Sequence, residues 1–213
     1  MNIILLGDST IDNASYTSGG PSVLDHLHSL LGPEGAVTML AVDGSMTTGV
    51  MDQLSAVPSE ATHVFMSVGG NDVMMRGDVL KRSASTVSEA LIALAEVAED
   101  FDSDYRRCLR AVLQLGLPTS ICTIYNGAFD EETGEQTVIT TALRVFNDVI
   151  VQAALDAGLT IVDLRRVCSC RSDFANPIEP NVAGGRKIAE SVLNAVRVNS
   201  TGNSTILPSG EDP

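Results

Sequence analysis

Short, nearly continuous apolar runs alternate along the chain with longer stretches in which apolar residues recur every three or four positions. The runs are rich in Ile, Leu, Val and Met, and they are Asn2–Leu6, Ala36–Val42, His63–Val68, Thr119–Ile124 and Thr160–Val162. Runs of this kind are typical of parallel strands that are covered on both faces. The pattern therefore predicts a five-stranded parallel sheet.

Helical periodicity fills the intervals between these runs. We predict helices over Pro21–Leu31, Val87–Ala98, Ser103–Leu115, Val138–Ala157 and Gly184–Val196. A proline in the first turn and a glycine just after the end agree with helix boundaries at several of these positions. Because strands and helices alternate, the fold class we predict is α/β: a three-layer αβα sandwich around a flavodoxin-like parallel sheet.

Three segments lack a clear period. Met74–Thr86 is mixed in character and Asn126–Gln136 is acidic and contains glycine, so we predict irregular loops there. Residues 199–213 are mostly small and polar and have little to bury. We therefore predict one domain over residues 1–198, followed by a mobile tail.

The composition and net charge disfavour some classes of binding partner. Hydrophobic residues make up 44% of the 213 positions, enough for a sizeable core in a single domain. Thirteen basic and 27 acidic side chains give a net charge of −14, which opposes binding to phosphate backbones and anionic lipid. We expect no nucleic-acid or membrane partner, and the oligomeric state stays open. The first residues contain no basic leader, so we expect a cytoplasmic protein.

The cysteines do not indicate a metal site. There are four, and Cys168 and Cys170 flank a single residue. Two thiolates with no nearby histidine or second pair do not complete a tetrahedral site. We expect reduced thiols, no metal and no cofactor.

Glycine and small polar residues follow three consecutive predicted strands. They are Gly7-Asp8-Ser9-Thr10, Asp43-Gly44-Ser45 and Gly69-Gly70-Asn71-Asp72. Ligands of open parallel sheets bind at the carboxyl ends of strands, where glycine leaves backbone N–H groups free to donate. A serine beside such donors is a candidate nucleophile next to an oxyanion hole. Each segment alone is an ordinary turn, whereas their joint order indicates a site.

These segments resemble the conserved blocks of the SGNH (GDSL-type) hydrolase family. Gly7-Asp8-Ser9 is similar to the first block of that family, Gly44 to the second and Gly69-Gly70-Asn71-Asp72 to the third. The resemblance extends from Asn2 to about Val196.

The resemblance implies hydrolysis of esters or thioesters with Ser9 as the nucleophile. It also implies an oxyanion hole made of the Ser9 N–H, the Gly44 N–H and the Asn71 side-chain amide. Asp8 and Asp72 lie next to this site, and we expect them to organise their loops by accepting backbone N–H bonds.

The fourth block departs from the family. The family carries Asp-x-x-His there, followed by Pro-Asn and a glycine, and this chain keeps the frame Pro180-Asn181…Gly184. In that frame Asn176 stands in place of the aspartate and Glu179 in place of the histidine. Both members of the usual base pair are therefore replaced.

Glu179 has two interpretations. It could accept the Ser9 proton, although a free glutamate has a pKa about two units below that of histidine and is the poorer base. Burial would raise that pKa and recover basicity. Glu179 could instead form a structural salt bridge across an inactive site, and three preceding arginines are candidate partners: Arg165, Arg166 and Arg171.

The three histidines are poor substitutes for the missing base. His26 and His28 lie on the first predicted helix, and His63 opens the third predicted strand, at the opposite edge of the sheet from the strand ends. We expect none of them to be catalytic. We predict that the pocket walls also include Asp12, Asn13, the Ser18–Pro21 loop, Tyr125 and Asn126.

Three functions remain. The first is a serine hydrolase of small carboxylic esters with Glu179 as an altered base. The second is a degenerate relative that binds a small acyl or sugar-ester ligand with little turnover. The third is a nucleotide-binding module, which the absence of a P-loop lysine and of a Gly-x-Gly-x-x-Gly run disfavours.

Overall fold

Six parallel strands form one sheet in the order β2-β1-β3-β4-β5-β6. The computed structural model describes residues 1–199 and 206–207. The strands are β1 (Asn2–Gly7), β2 (Ala36–Met39), β3 (His63–Ser67), β4 (Thr119–Cys122), β5 (Thr160–Val162) and β6 (Ile206–Leu207). The five predicted strands and the three-layer α/β sandwich are confirmed, and the two-residue β6 extends the sheet beyond β5.

The described chain contains seven α-helices on the two faces of this sheet. They are α1 (Val23–Leu31), α2 (Thr47–Leu54), α3 (Gly70–Met75), α4 (Val87–Leu113), α5 (Glu135–Asp156), α6 (Leu164–Val167) and α7 (Val182–Asn199). A 3₁₀ turn over Gly77–Lys81 follows α3.

Successive residues of the central strands point to opposite faces of the sheet and pack into two separate hydrophobic cores. Ile3 and Leu5 of β1 pack with the apolar sides of α1 and α7, whereas Ile4 and Leu6 pack with α2, α4 and α5. All four side chains are fully buried. This two-sided burial explains why the strand sequences are nearly continuous in apolar residues rather than alternating.

Two expectations about the helices were wrong. The predicted helices Val87–Ala98 and Ser103–Leu115 are one helix, α4, because the fully buried Phe101 continues the apolar spacing through the acidic segment between them. Met74–Thr86 is not wholly irregular, since α3 ends inside it and the 3₁₀ turn follows.

The first residue of the segment for which we predict a mobile tail is helical. Asn199 is the last residue of α7, and its side-chain amide donates to the Thr119 carbonyl over 2.8 Å. Ile206 and Leu207 pair with β5. The rest of the segment for which we predict mobility, residues 200–205 and 208–213, lies outside the described residues.

One described helix, α5, is long and apolar enough to cross a membrane by length and composition alone. Its Phe146 and Ile150 are buried in the core beneath the sheet, against α4. A core helix of this kind passes the same compositional test.

The end of β1 is held tightly against its neighbours. Gly7 has a φ of +132°, and a Cβ atom there would lie 1.7 Å from the Ser67 carbonyl oxygen. The Gln53 side chain accepts from the Gly7 N–H and donates to the Gly7 carbonyl, each over 2.8 Å. These contacts fix the point from which the chain leaves the sheet toward Ser9.

We expect Gly7→Ala to lower the free energy of unfolding by more than about 4 kcal/mol, because both the backbone angle and the Ser67 contact oppose a side chain. Gly116→Ala is the matched control, since Gly116 has a φ of +66° but no atom within 4 Å of an added Cβ. It should cost only about 1–2 kcal/mol. Urea unfolding measures both losses, and equal losses would contradict a role for the Ser67 contact.

Candidate active site

Ser9 lies in a tight turn directly after β1. The Asp8 N–H donates to the Ser67 carbonyl over 3.1 Å, and the Asp8 carbonyl accepts from the N–H groups of Ile11 and Asp12. The Asp8 carboxylate accepts from the Thr10 N–H over 3.0 Å. These hydrogen bonds of Asp8 hold the loop that places Ser9 at the carboxyl edge of the sheet.

Glu179 is placed by a loop that is hydrogen-bonded on several sides. The Asn176 side-chain oxygen accepts from the backbone N–H groups of Ile178 and Glu179, over 2.9 and 3.0 Å. The Tyr125 hydroxyl donates to the Ile178 carbonyl. Asn13, fully buried, donates from its side chain to the Pro180 carbonyl over 3.1 Å. These bonds hold the backbone from Ile178 to Pro180, which carries the Glu179 side chain.

Ser9 and Glu179 meet across 170 positions of sequence. The Ser9 hydroxyl donates to Glu179 Oε1 over 3.3 Å, and both residues are 7% exposed. Among the described residues, the other carboxylate oxygen, Oε2, is buried and has no hydrogen-bond partner.

The surroundings of Glu179 favour a proton acceptor. Burial raises the pKa of Glu179 above its usual value, the Ser9 hydrogen bond opposes that rise, and the charge of Asp43 adds to it. Two of the three arginines we considered as partners, Arg165 and Arg171, make their contacts elsewhere. Arg165 pairs with Asp163 over 2.7 Å, and Arg171 donates to the Ala128 carbonyl. In the part of the chain that the structure describes, no lysine or arginine forms an ion pair with Glu179.

Asp8 is the second perturbed carboxyl group of the site. Burial raises its pKa from 3.8 to about 7, against the effect of its hydrogen bonds with Thr10, and the charges of Glu179 and Asp72 raise it further. Near neutral pH Asp8 is therefore partly protonated, which lowers the negative charge beside Ser9.

Two of the three expected oxyanion donors are backbone N–H groups, those of Ser9 and Gly44. No described residue accepts a hydrogen bond from the Ser9 N–H or from the Gly44 N–H. The Asn71 side chain donates one N–H to the Ser45 carbonyl over 2.9 Å, which leaves its second N–H available. Gly44 has a φ of +80°, and the position of its absent Cβ faces open space.

Asp72 stabilises the loop that carries Gly44. Its carboxylate accepts from the Thr47 N–H over 2.9 Å and from the Thr47 hydroxyl over 2.7 Å. Asp72 thus caps the start of α2, just after the loop that carries Gly44. Together with the Asn71 bond to Ser45, it ties that loop to the end of β3.

A cavity of about 610 Å³ opens beside Ser9. Asp8, Ser9, Asn71 and Glu179 all line it. The remaining wall is mainly apolar and comes from the segments that follow β3 and β4, from α5 and from the 3₁₀ turn: Val68, Ile124, Ile139, Leu143, Phe146 and Val79. The volume is in the range of small-molecule sites.

Not every candidate residue faces this cavity. Gly44, Asp72 and Asn176 do not line it, and of the additional wall residues that we predicted only Tyr125 does. Asp12, Asn13, the Ser18–Pro21 loop and Asn126 are not part of its walls.

No histidine is among the residues that line the cavity. His26 contacts the Val182 carbonyl over 3.3 Å, and His63 is the first residue of β3. Within the described ranges, no group of three or more His, Cys, Asp and Glu side chains is arranged to hold a metal ion.

The sequence did not indicate how the site is supported: we expected Asn13 only in the pocket wall, and Gln53 was not a candidate. Asn13 bridges the Ser9 loop to the Glu179 loop, and Gln53 clamps Gly7. The structure also assigns Tyr125 a hydrogen bond to the Glu179 loop, beyond its place in the wall. No sequence motif distinguishes these residues from other polar residues, and only their burial in the folded chain indicates their role.

The comparison with known families agrees with this geometry. A sequence profile described as the GDSL-like lipase/acylhydrolase family matches residues 5–187. The chain belongs to this family. Its members are lipase-like and esterase-like hydrolases, so the family membership supports a hydrolase. The chain has no significant match among curated protein sequences.

Solved structures of similar fold cover nearly the whole chain. An extracellular lipase from Streptomyces rimosus shares 17% identity and a TM-score of 0.68, over 92% of this chain and 99% of that one. A phospholipase A1 from Streptomyces albidoflavus also shares 17% identity with this chain. Its TM-score is 0.68, over 91% of this chain and 98% of that one. A catalytic mutant of the acetylxylan esterase Axe2 from Geobacillus stearothermophilus shares 16% identity with this chain. Its TM-score is 0.64, over 92% of this chain and 93% of that one.

The raised pKa of Asp8 predicts a pH dependence of stability. The folded chain keeps a proton on Asp8 that the unfolded chain releases between about pH 3.8 and 7, so the contribution of Asp8 to the unfolding free energy falls as pH rises through that window. Relative to Asp8→Asn, the unmodified chain should lose up to about 4 kcal/mol there, as measured by urea unfolding. Asp148→Asn, at an exposed position of α5, is the control. Parallel curves for Asp8→Asn and the unmodified chain would contradict the shift.

Proposed function

We propose that this protein hydrolyses small carboxylic esters, with Ser9 as the nucleophile and Glu179 in the role of the missing histidine. The observation that carries the proposal is the 3.3 Å hydrogen bond from the Ser9 hydroxyl to Glu179 Oε1, made in a buried position at the wall of the cavity. Nucleophile and base must be within hydrogen-bond reach for this chemistry.

In the first step Ser9 Oγ attacks the ester carbonyl carbon while its proton passes to Glu179 Oε1. The negative charge moves from Glu179 to the carbonyl oxygen, where the Ser9 N–H, the Gly44 N–H and the second Asn71 N–H are the available donors. The tetrahedral intermediate collapses as Glu179 returns the proton to the departing alkoxide. The products are the alcohol and an acyl ester on Ser9.

The second step reverses these roles with water. Glu179 removes a proton from the water that attacks the acyl group, and Ser9 leaves with that proton. Burial raises the pKa of Glu179, and the described residues provide no cationic partner to lower it. A carboxylate in this setting is a better base than in water, although it stays weaker than an imidazole.

A binding protein with little turnover is the second candidate. The role of Asn176 favours it, because the Asn176 side-chain oxygen accepts from backbone N–H groups and does not orient a base, as the family's aspartate would. Nevertheless, an oxyanion hole and a binding pocket alone can supply about 10³–10⁴-fold catalysis over water when a triad is disabled. Slow hydrolysis of activated esters is thus compatible with this candidate, and hydrolysis that depends on Glu179 is not.

Rates on short p-nitrophenyl esters distinguish the two candidates. Ser9→Ala should reduce hydrolysis to the uncatalysed background, and Glu179→Gln should lower kcat by at least about 100-fold, because the amide cannot accept the proton. Glu190→Gln, on α7 and outside the cavity wall, should retain full activity. An unchanged kcat in Glu179→Gln would remove Glu179 from the mechanism. Labelling of Ser9 by an organophosphorus ester would test the nucleophile independently of the substrate.

Restoring the family residues should accelerate the reaction. The double substitution Asn176→Asp with Glu179→His recreates the Asp-x-x-His spacing, and aspartate retains an oxygen to accept the Ile178 and residue-179 backbone N–H bonds. We expect kcat to rise by about tenfold or more near pH 7, since imidazole is the stronger base. Asn176→Asp alone is the control and should change little. If the double variant folds but its kcat is no higher, the basicity of residue 179 does not limit the reaction.

A further inference from the structure

One face of α5 forms a long wall of the cavity beside Ser9. Five apolar residues of this helix line the cavity, and they are Val138, Ile139, Ala142, Leu143 and Phe146. Residues at this spacing lie on one side of a helix. The cavity therefore extends along α5.

The exposure of this wall falls from the start of α5 inward. Val138 is 50% exposed, whereas Ala142 is 6% and Phe146 2% exposed. The Asn147 side chain, next to Phe146, accepts from the Ile124 N–H over 2.7 Å and donates to the Ile124 carbonyl over 2.8 Å. These bonds hold the inner part of the wall against the segment that follows β4. The cavity thus leads from solvent to the carboxyl edge of the sheet, where Ser9 lies.

The mouth of the cavity is apolar as well. Met74 of α3 and Leu80 of the 3₁₀ turn line the cavity beside Val138, and they are 51% and 41% exposed. Exposed apolar residues that adjoin a groove are a feature of ligand-binding sites. An apolar surface therefore continues from the buried interior to the outside.

The cationic side chains of the cavity wall already have acidic partners. Arg76 forms an ion pair with Asp104, and Lys81 forms one with Asp78 over 3.0 Å. A charged or sugar-like group in the inner part of the cavity would lose hydrogen bonds with water and find few replacements. An alkyl chain would gain free energy by leaving water.

The size of the cavity also favours a chain over a short group. Its volume is about 610 Å³. A methylene group is about as large as a water molecule, which occupies roughly 30 Å³ in the liquid. An acetyl group would therefore leave most of the cavity unfilled, whereas a chain of about eight carbons fits within it.

The chemistry of the proposed reaction favours the acyl part as the occupant. The alcohol leaves after the first step, while the acyl group stays bonded to Ser9 until water attacks. Burial of an acyl chain can therefore stabilise the transition states of both steps, and burial of an alcohol chain only that of the first.

We propose that the esters hydrolysed here carry an unbranched alkyl chain of about eight carbons on their acyl part, and that this chain lies along the α5 face between Ser9 and the mouth. This inference rests on the proposed hydrolase function and adds the class of acyl group.

A pair of isomeric esters tests which part of the substrate occupies the cavity. Ethyl octanoate and octyl acetate have the same composition, and ethyl acetate is the short reference. We expect kcat/KM for ethyl octanoate to exceed that for ethyl acetate by about 100-fold or more, since each buried methylene is worth about fourfold. It should exceed that for octyl acetate by about tenfold or more. An equal or higher value for either acetate would overturn the proposal.

Variants of the wall assign this selectivity to the cavity. Ala142→Phe fills part of the cavity and should reduce the ratio of kcat/KM between ethyl octanoate and ethyl acetate by about tenfold or more. Thr141→Phe makes a similar change at an exposed position of α5 outside the cavity wall, and should leave that ratio unchanged.

Leu80→Asn keeps the test valid if Ala142→Phe does not fold, because Leu80 lies at the exposed mouth. It should reduce the same ratio by about threefold or more. An unchanged ratio in the folded wall variants, or an equal fall in Thr141→Phe, would contradict a chain bound along α5.

Binding of non-hydrolysed amides separates this proposal from the proposed hydrolase function. If no ester is hydrolysed above the Ser9→Ala background, the hydrolase function fails. Calorimetry with the isomers N-ethyloctanamide and N-octylacetamide then tests the cavity alone. Tighter binding of N-ethyloctanamide, weakened in Ala142→Phe and not in Thr141→Phe, would support the acyl site without catalysis. Equal affinities of the two amides, or no binding, would reject it.

Discussion

The hydrogen bond between Ser9 and Glu179 is the contact on which the site depends, and it joins two loops that are far apart in sequence. Each loop has its own support: the Ser67 carbonyl and Gln53 hold the end of β1, while the Asn176 side chain and the Tyr125 hydroxyl hold the Glu179 loop. Buried polar groups such as these are stable only when they are hydrogen-bonded. The scaffold therefore fixes both side chains before any substrate binds.

Replacement of histidine by glutamate changes the electrostatics of the whole site. In the mechanism we propose, Glu179 becomes neutral when it takes the serine proton, whereas an imidazole would become positive, so the developing oxyanion gains no positive partner. Burial makes Glu179 a better base by raising its pKa, and the same burial raises the pKa of Asp8 to about 7. The described chain therefore places two buried carboxyl groups, Asp8 and Glu179, beside Ser9.

Much of this could be predicted from local sequence. Continuous apolar runs give a two-sided parallel sheet because successive side chains point to opposite faces, and both faces are covered here. Glycine and small polar residues after three strands give a site because parallel strands end at one edge. The long helix α4 escaped prediction because its acidic stretch resembles a linker, and only the buried Phe101 shows that the helix continues.

The sequence by itself determined the layered α/β fold, the position of Ser9 and Asn71 at strand ends, and the substitution of Glu179 for histidine, since each follows from periodicity or from spacing within a short segment. Only the tertiary structure decided that Glu179 meets Ser9 and that Gly44 and Asn176 do not line the cavity. Those facts depend on packing between loops up to 170 positions apart, where distance and burial set the energies and no local pattern encodes either.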